Sequence, residues 1–450
     1  MKKYDLMVVG AGPSGLIAAR AAALAGLDVA LLERKSEMNR LERICGQTLV
    51  SVNEYYFGDL VMYNRPGKRF VFPRAGLTFQ YDGPVKNCHA WHIYSPNGTR
   101  LPFGLPEETR KKGDYGAVGF AYDKEILLRC LQEEAKSAGV EIHGGINVNA
   151  ISTAPGGVTV SGGGQSFEAL YAIAADGCNS SIARLMGFNR DRTAYCYLFA
   201  KGWYMSNVKA PASDVLISSI TYKTVAPGYM FIFPRPYGDD LTVIFLSLDP
   251  RVNLDEVAHY FMKENPFFSA WFEHAEPKQC LSSAQYVFSP VIEPYRDRVL
   301  LAGDTGSTQE LENSGAMISG WKAGNAIAAA VREERAGIPP RAIADYLQWW
   351  KTTYIEGYRH EDYIMNFALP FVIDTEEDLN YVFSLVQNPL PPCWNPYAAI
   401  GHLGQLMQSL VPRIQQEKPH ILAKLGRMSQ PILQILEPTA SVCKPLLDLK

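Results

Sequence analysis

The sequence predicts an α/β protein organised around a nucleotide-binding strand–helix–strand unit, with an antiparallel sheet inserted into it and a helical C-terminal region. Three observations predict this: the glycine-rich opening Tyr4–Arg34, two later apolar strands that each end in a Gly/Asp turn, and a run of β-rich segments over residues 195–248.

In the opening, Asp5–Val9 is a short apolar run rich in β-formers, too short for a helix, and reads as a buried strand. Gly10, Gly12 and Gly15 follow in GxGxxG spacing, and Pro13 and Ser14 lead into an alanine-rich helix that ends near Gly26. Val29–Leu32 closes the unit, with Glu33 and Arg34 at its tip. Gly10 permits the tight turn, Gly12 lets the backbone approach a pyrophosphate, and Gly15 lets the helix pack closely on the strand. The helix N-terminus offers amide donors and a positive dipole end to the phosphates. Glu33 is placed to hold the hydroxyls of an adenosine ribose. A lone GxGxxG also occurs as a plain turn, so the reading rests on strand, glycines, helix, second strand and terminal acid occurring in order. The position of the unit at the start of the chain favours FAD over NAD.

The 450 residues suffice for two or three units. A net charge of −3 gives no case for nucleic acid as a partner. The eight cysteines show no CxxC pair and no repeated spacing, which argues against a zinc or iron–sulfur site and against a disulfide framework. The expected location is a reducing cytoplasm: Met1–Lys3 leads directly into the first strand with no signal peptide. No apolar run approaches the ~20 residues of a membrane span, and peripheral membrane contact stays open.

Beyond Arg34, strand-like pieces are expected at Arg69–Phe72, Leu77–Gln80 and Ala90–Tyr94, the last joined to Arg100–Phe103 through Asn97-Gly98, a hairpin signal. Helical spacing returns over Tyr122–Ala138 and stops at Gly139. Leu170–Gly177 then reads as a strand delivering Asp176 and Gly177. Arg298–Asp304 reads as another, delivering Gly303 and Asp304 just before a long helix from Gly315 and Ala316 to about Arg335. In that place the Asp304 carboxylate suits a ribityl hydroxyl. Either aspartate also suits turn formation or helix capping. Leu198–Met205, Val215–Tyr222, Tyr229–Pro234 and Leu241–Leu248 alternate as an antiparallel sheet, the expected substrate wall. Residues 253–275 read as helix, and 336–450 as mainly helical with breaks near Pro389–Pro392.

GxGxxG with Glu33, then Ala174-Ala175-Asp176-Gly177, then Leu300–Asp304 before a helix resembles the FAD-dependent superfamily whose fold is typified by p-hydroxybenzoate hydroxylase. Within it the chain looks most like the geranylgeranyl reductase family. Arg43-Ile44-Cys45-Gly46 resembles that family's Cys-Gly segment, and Pro227–Pro234 resembles its Tyr-x-Trp-x-Phe-Pro motif with Phe231 in the Trp place. Three departures stand out. Val243-Ile244-Phe245 replaces a Gly-x-Gly, Gln309–Gly315 lacks the usual proline, and Gly119 stands near the place of an arginine.

The resemblance implies reduction of a carbon–carbon double bond in an isoprenoid or related apolar substrate by hydride from reduced FAD. Arg43, Cys45 and Gly46 would lie by the cofactor, with Cys45 as proton donor or substrate contact, and Glu310 or Glu312 as a second candidate acid. Tyr229, Phe231 and Phe233 alternate on one strand face and would line an apolar pocket. The alternatives are a monooxygenase (an aromatic hydroxylase or a halogenase) acting through a flavin hydroperoxide, and a non-catalytic carrier of prenylated partners. With no second complete GxGxxG, the electron donor is NAD(P)H docking transiently or a reduced ferredoxin or flavodoxin. The expected domains are a discontinuous FAD domain within 1–335 (about 1–58, 119–190 and 285–335), a substrate sheet (about 59–118 and 191–284), and the helical region 336–450. The face His402, Leu403, Leu406, Met407, Leu410 and Ile414 is expected to pack against the body.

Overall fold

A computed structural model describes residues 2–307, 313–437 and 439 of the chain. The first apolar run forms strand β1 (Lys3–Val9), the alanine-rich segment helix α1 (Pro13–Leu24), and Val29–Glu33 returns as β2, parallel to β1 with Val9 opposite Leu32. Glu141–Gly144 lies parallel outside β2. Between them in the chain runs helix α2 (Lys124–Ser137), whose cap Asp123 accepts the Glu125 and Ile126 amides at 2.9 and 3.1 Å. Gly139, at φ +98°, ends it as expected.

On the other side of β1 runs β3 (Gln165–Ala174), parallel to it along its length. The second edge of β3 is shared. Its first half pairs antiparallel with Gly157–Gly162, and its last residues pair parallel with Val299–Leu301. This eight-stranded sheet is covered on both faces: Leu6 and Val8 enter one apolar cluster, Met7 and Val9 the other. Burial on both faces explains why these strands read as unbroken apolar runs.

The second sheet has seven strands. Its centre is β4 (Ala194–Ser206), β5 (Gly228–Pro234) and β6 (Leu241–Ser247), with β4 and β5 both antiparallel to β6. Glu276–Phe288 pairs outside β4, and Val215–Thr221, Ala90–Tyr94 and Arg100–Phe103 continue beyond β5. All pairings are antiparallel except Val215–Thr221 with Ala90–Tyr94, which is parallel. Asn97-Gly98 turns the expected hairpin, setting Trp91 opposite Phe103. Phe231, Phe233, Ile244 and Leu246 face the main core, whereas Met230, Ile232, Val243 and Phe245 face the segments that follow residue 253.

Several strands escaped the sequence reading, among them Val148–Ala154 and Glu276–Phe288. Val148–Ala154 is mostly exposed, and Glu276–Phe288 begins with five exposed residues, so neither carries a buried stripe. The helix expected over 253–275 is broken into Leu254–His259, Tyr260–Glu264 and Ser269–Phe272. Asn265 makes the break: its side-chain carbonyl accepts the Phe267 and Phe268 amides at 2.9 and 3.0 Å, which competes with helix continuation.

Helix α3 (Ser314–Arg335) lies tight on α1. A β-carbon at Gly320 would stand 2.1 Å from the Ser14 carbonyl oxygen, and one at Gly324 2.3 Å from that of Ala18. The C-terminal region supplies α4 (His360–Met365) and α5 (Pro396–Glu417). On α5, Leu410 and Ile414 are buried and His402, Leu403, Leu406 and Met407 half-buried, as a packing face requires. Among the described residues, no helix is long and apolar enough to cross a membrane.

Candidate active site

A cavity of about 530 Å³ lies between the two sheets, lined from one side by the glycine loop and from the other by β4, β5 and β6. Gly10 takes φ +105°, and a β-carbon there would sit 2.3 Å from the Ala175 carbonyl oxygen. One at Gly15 would sit 1.9 Å from the Gly10 carbonyl oxygen, so Gly15 stands behind the wall and holds the loop against α1. Gly12 differs: its missing β-carbon leaves open space in the cavity lining. The N-terminus of α1 has no side-chain cap, and the buried Ser14 hydroxyl beside it has no partner among the described residues. Uncapped amides, an unpartnered hydroxyl and an open glycine are what a bound pyrophosphate would fill. Glu33 accepts the Ala11 amide at 2.7 Å and the Lys35 amide at 3.0 Å, which ties the strand tip to the loop. Pro13 and Arg34 join the same lining.

Asp176, Gly177, Asp304 and Ala316 line the next part. Burial pushes the Asp176 carboxyl up, against hydrogen bonds that pull the other way. It accepts from the Ser180 hydroxyl at 2.6 Å, the Ser181 hydroxyl at 3.2 Å and the Ile182 amide at 3.2 Å, so it caps the turn that follows it. Thr305 receives the Gly177 amide at 2.9 Å and locks the two Gly/Asp turns together. Asp304 lies on a short turn, Gly303–Thr305, while α3 begins only at Ser314. The long helix starts within one residue of the expected Gly315. Gly303 takes φ +61° and Gly315 abuts Phe57; neither lines the cavity. Glu310 and Glu312 lie outside the described residues.

The segment Arg43–Gly46 joins the two sides. Arg43 donates to the Cys178 sulfur at 3.5 Å, the Ile44 amide donates to the Ser282 carbonyl, and Gly46 lies so close to the Phe233 ring that a β-carbon would meet it at 2.6 Å. Cys45 is half-buried and its sulfur accepts from two nitrogens, Lys124 Nζ at 3.8 Å and Asn313 Nδ2 at 3.9 Å. Lys124 also donates to Asn313 Oδ1 at 2.9 Å, and Asn313 donates to the Tyr122 hydroxyl at 2.7 Å. Sequence reasoning found Cys45 and missed Lys124 and Asn313. Both stand at helix starts, where polar residues are ordinary, and only the fold brings them to the sulfur.

The apolar wall is Phe231 and Phe233, stacked at 6.1 Å, with Leu198, Ala200, Ile244, Leu246 and Tyr363. Tyr229 shares their face but stands farther along β5, where its hydroxyl donates to the Phe367 carbonyl at 2.6 Å; it is outside the lining. Of Val243-Ile244-Phe245, the stretch in the expected Gly-x-Gly place, only the middle residue Ile244 projects a side chain into the cavity, and Val243 and Phe245 face the opposite side of the sheet. Gly119 lies in a short strand between Val50 and Cys88, away from the lining.

Two buried groups stand apart from these linings. Arg192 donates to the Ser289 carbonyl at 2.6 Å, and desolvation lowers its guanidinium to about 9. His360, on α4, is 1% exposed, and neither ring nitrogen has a partner among the described residues; burial, aided by Arg192, drives its imidazole down to about 3.

Residues 8–38 match the model of an NAD(P)-binding Rossmann-like domain. The chain is 25% identical over 399 residues to digeranylgeranylglycerophospholipid reductase 1 of Methanosphaera stadtmanae, covering 86% of this chain and 89% of that protein. The enzyme of the same name from Methanocella arvoryzae is 26% identical over 361 residues, covering 76% and 82%. Among solved structures, a geranylgeranyl bacteriochlorophyll reductase-like protein of Thermoplasma acidophilum superposes with a TM-score of 0.67 at 18% identity, covering 95% of this chain and all of that one. The resemblance to geranylgeranyl reductases and the expected Rossmann-type α/β fold are borne out, as is an FAD-dependent oxidoreductase.

Proposed function

We propose that the protein reduces carbon–carbon double bonds in a prenyl chain, taking that substrate class from its archaeal relatives. One observation carries the reading: the same cavity is polar and glycine-lined at one end, apolar and aromatic at the other, with Cys45 on the segment between. Bound FAD, once reduced, would supply hydride to one alkene carbon. The glycine loop and Ser14 would hold its pyrophosphate, Glu33 its ribose, and Asp304 its ribityl chain.

The chain's own side chains would do the rest. Phe231, Phe233, Ile244 and Leu246 would align an isoprenoid unit and exclude water from it. Cys45 would hand its proton to the second alkene carbon, within reach of the same cavity. The prenyl lipid would be approached at a membrane surface, by peripheral contact. The electrons would come from NAD(P)H or a reduced ferredoxin or flavodoxin, since no second glycine-loop unit accompanies the first.

Anaerobic mixing of the chemically reduced holoprotein with a geranylgeranyl lipid tests this. The expected result is reoxidation of the flavin with a two-hydrogen mass gain in the lipid for each bond reduced. A flavin that stays reduced without oxygen, and yields an oxygenated product when oxygen is admitted, would replace the reading with monooxygenation.

A further inference from the structure

We propose that Lys124 is a positioning residue for Cys45, an ammonium that hydrogen-bonds the sulfur and returns a proton to it each time the thiol has given one up, with Asn313 fixing the lysine in place. The proposal deepens the reading above and rests on it for the identity of the proton's destination.

The geometry is specific. Cys45, Lys124 and Asn313 line the same cavity. The sulfur accepts from two nitrogens and Lys124 donates to the Asn313 carbonyl oxygen, so the three side chains form a closed triangle of contacts at 3.8, 2.9 and 3.9 Å. Asn313 has one orientation that suits its neighbours, because the Lys124 ammonium has only donors and must meet the amide oxygen, which turns the amide nitrogen to the sulfur and to the Tyr122 hydroxyl at 2.7 Å. The Lys124 backbone is equally fixed, its amide donating to Gln47 Oε1 at 2.7 Å. A sulfur facing two N–H donors is arranged as an acceptor. An ammonium is the stronger of the two donors because it is charged.

The step balances. Hydride and the Cys45 proton add to the two alkene carbons, leaving a thiolate; the Lys124 N–H then protonates the sulfur, leaving a neutral amine. Water restores the ammonium and leaves as hydroxide to bulk solvent, which the half-exposed position of Lys124 at the start of α2 permits.

Alkylation of Cys45 tests the arrangement without any substrate. The FAD-loaded protein is treated with iodoacetamide at pH 7 and the Cys45 peptide is followed by mass, which separates it from the exposed Cys280. Because the thiolate is the reacting form and Lys124 is its charged hydrogen-bond donor, Lys124→Met and Lys124→Gln should each slow Cys45 alkylation several-fold. Lys124→Arg should restore most of the rate, and Cys280 should react equally in all four proteins. Equal Cys45 rates in the wild-type, Met and Gln proteins would overturn the proposal, and so would an Arg variant as slow as the Met one. Failure of the lipid reduction with the alkylation pattern intact would instead count against the substrate reading alone.

Discussion

The nucleotide half of the cavity is drawn from residues 9–35, with two Gly/Asp turns added, whereas the Cys45 half is assembled from positions as distant as 45, 124, 244, 313 and 363. The first half depends on backbone: glycines where a β-carbon would strike a carbonyl oxygen, and a helix start left uncapped. The second depends on side chains that any core could contain. A cavity can thus have one end that tolerates almost no substitution and another that is free to change what it holds, since apolar residues exchange with modest cost when volume is kept.

Breaking the backbone half should have the largest effect. Gly15→Val places its β-carbon 1.9 Å from the Gly10 carbonyl oxygen, and the purified variant is expected to carry no flavin absorbance, with the first strand–helix unit unfolded by hydrogen exchange. In the side-chain half, Phe233→Ala should cost about 3–5 kcal/mol of stability, read by denaturant unfolding of holoprotein, while still binding flavin. Retention of flavin there and its loss in the glycine variant is the contrast that matters.

His360 gives a pH-dependent version of the same contrast, since it belongs to the distant part of the chain. Its folded-state value of about 3 lies below the ordinary value of 6.5, so the unfolded chain takes up a proton that the folded one refuses. The associated stability is full above about pH 6.5 and is lost as pH falls toward 3, amounting to about 2 kcal/mol at pH 5. Comparing unfolding at pH 7 and pH 5, the His360→Phe variant should lose about that much less than wild type. The smallest change is expected from Glu33→Gln, which keeps an acceptor for the Ala11 amide but loses the charge. A fall of about tenfold in FAD affinity, or about 1.4 kcal/mol, should appear in equilibrium titration of the apoprotein.

Much of this layout was legible before any coordinates. The opening unit, the hairpin at Asn97-Gly98, the four strands expected over residues 198–248 and the long helix after the late Gly/Asp all formed where spacing and turn chemistry put them. These are local signals: a period, a glycine, a cap. The triangle around Cys45 left no such trace, because Lys124 follows an ordinary capping aspartate and Asn313 stands at an ordinary helix start. Edge strands such as Glu276–Phe288 were hidden by polar exposure, and Asn265 interrupts what apolar spacing alone reads as a continuous helix. Tyr229 shows the limit of a face argument: alternation predicts which side of the sheet a ring occupies, and not whether a later segment has already covered it.

That covering comes from the end of the chain. Tyr363 completes the lining, Phe367 sits over Tyr229 and Phe231, and Trp394 meets the Phe233 ring edge-on at 5.8 Å. On the ribosome, the glycine loop and the aromatic strand emerge well before these three residues do. Until then the nascent protein presents Phe231 and Phe233 without their lid, so the interval before the last segments are translated is the period in which a chaperone has an apolar face to hold, and cofactor loading into a finished cavity must follow synthesis of that final stretch.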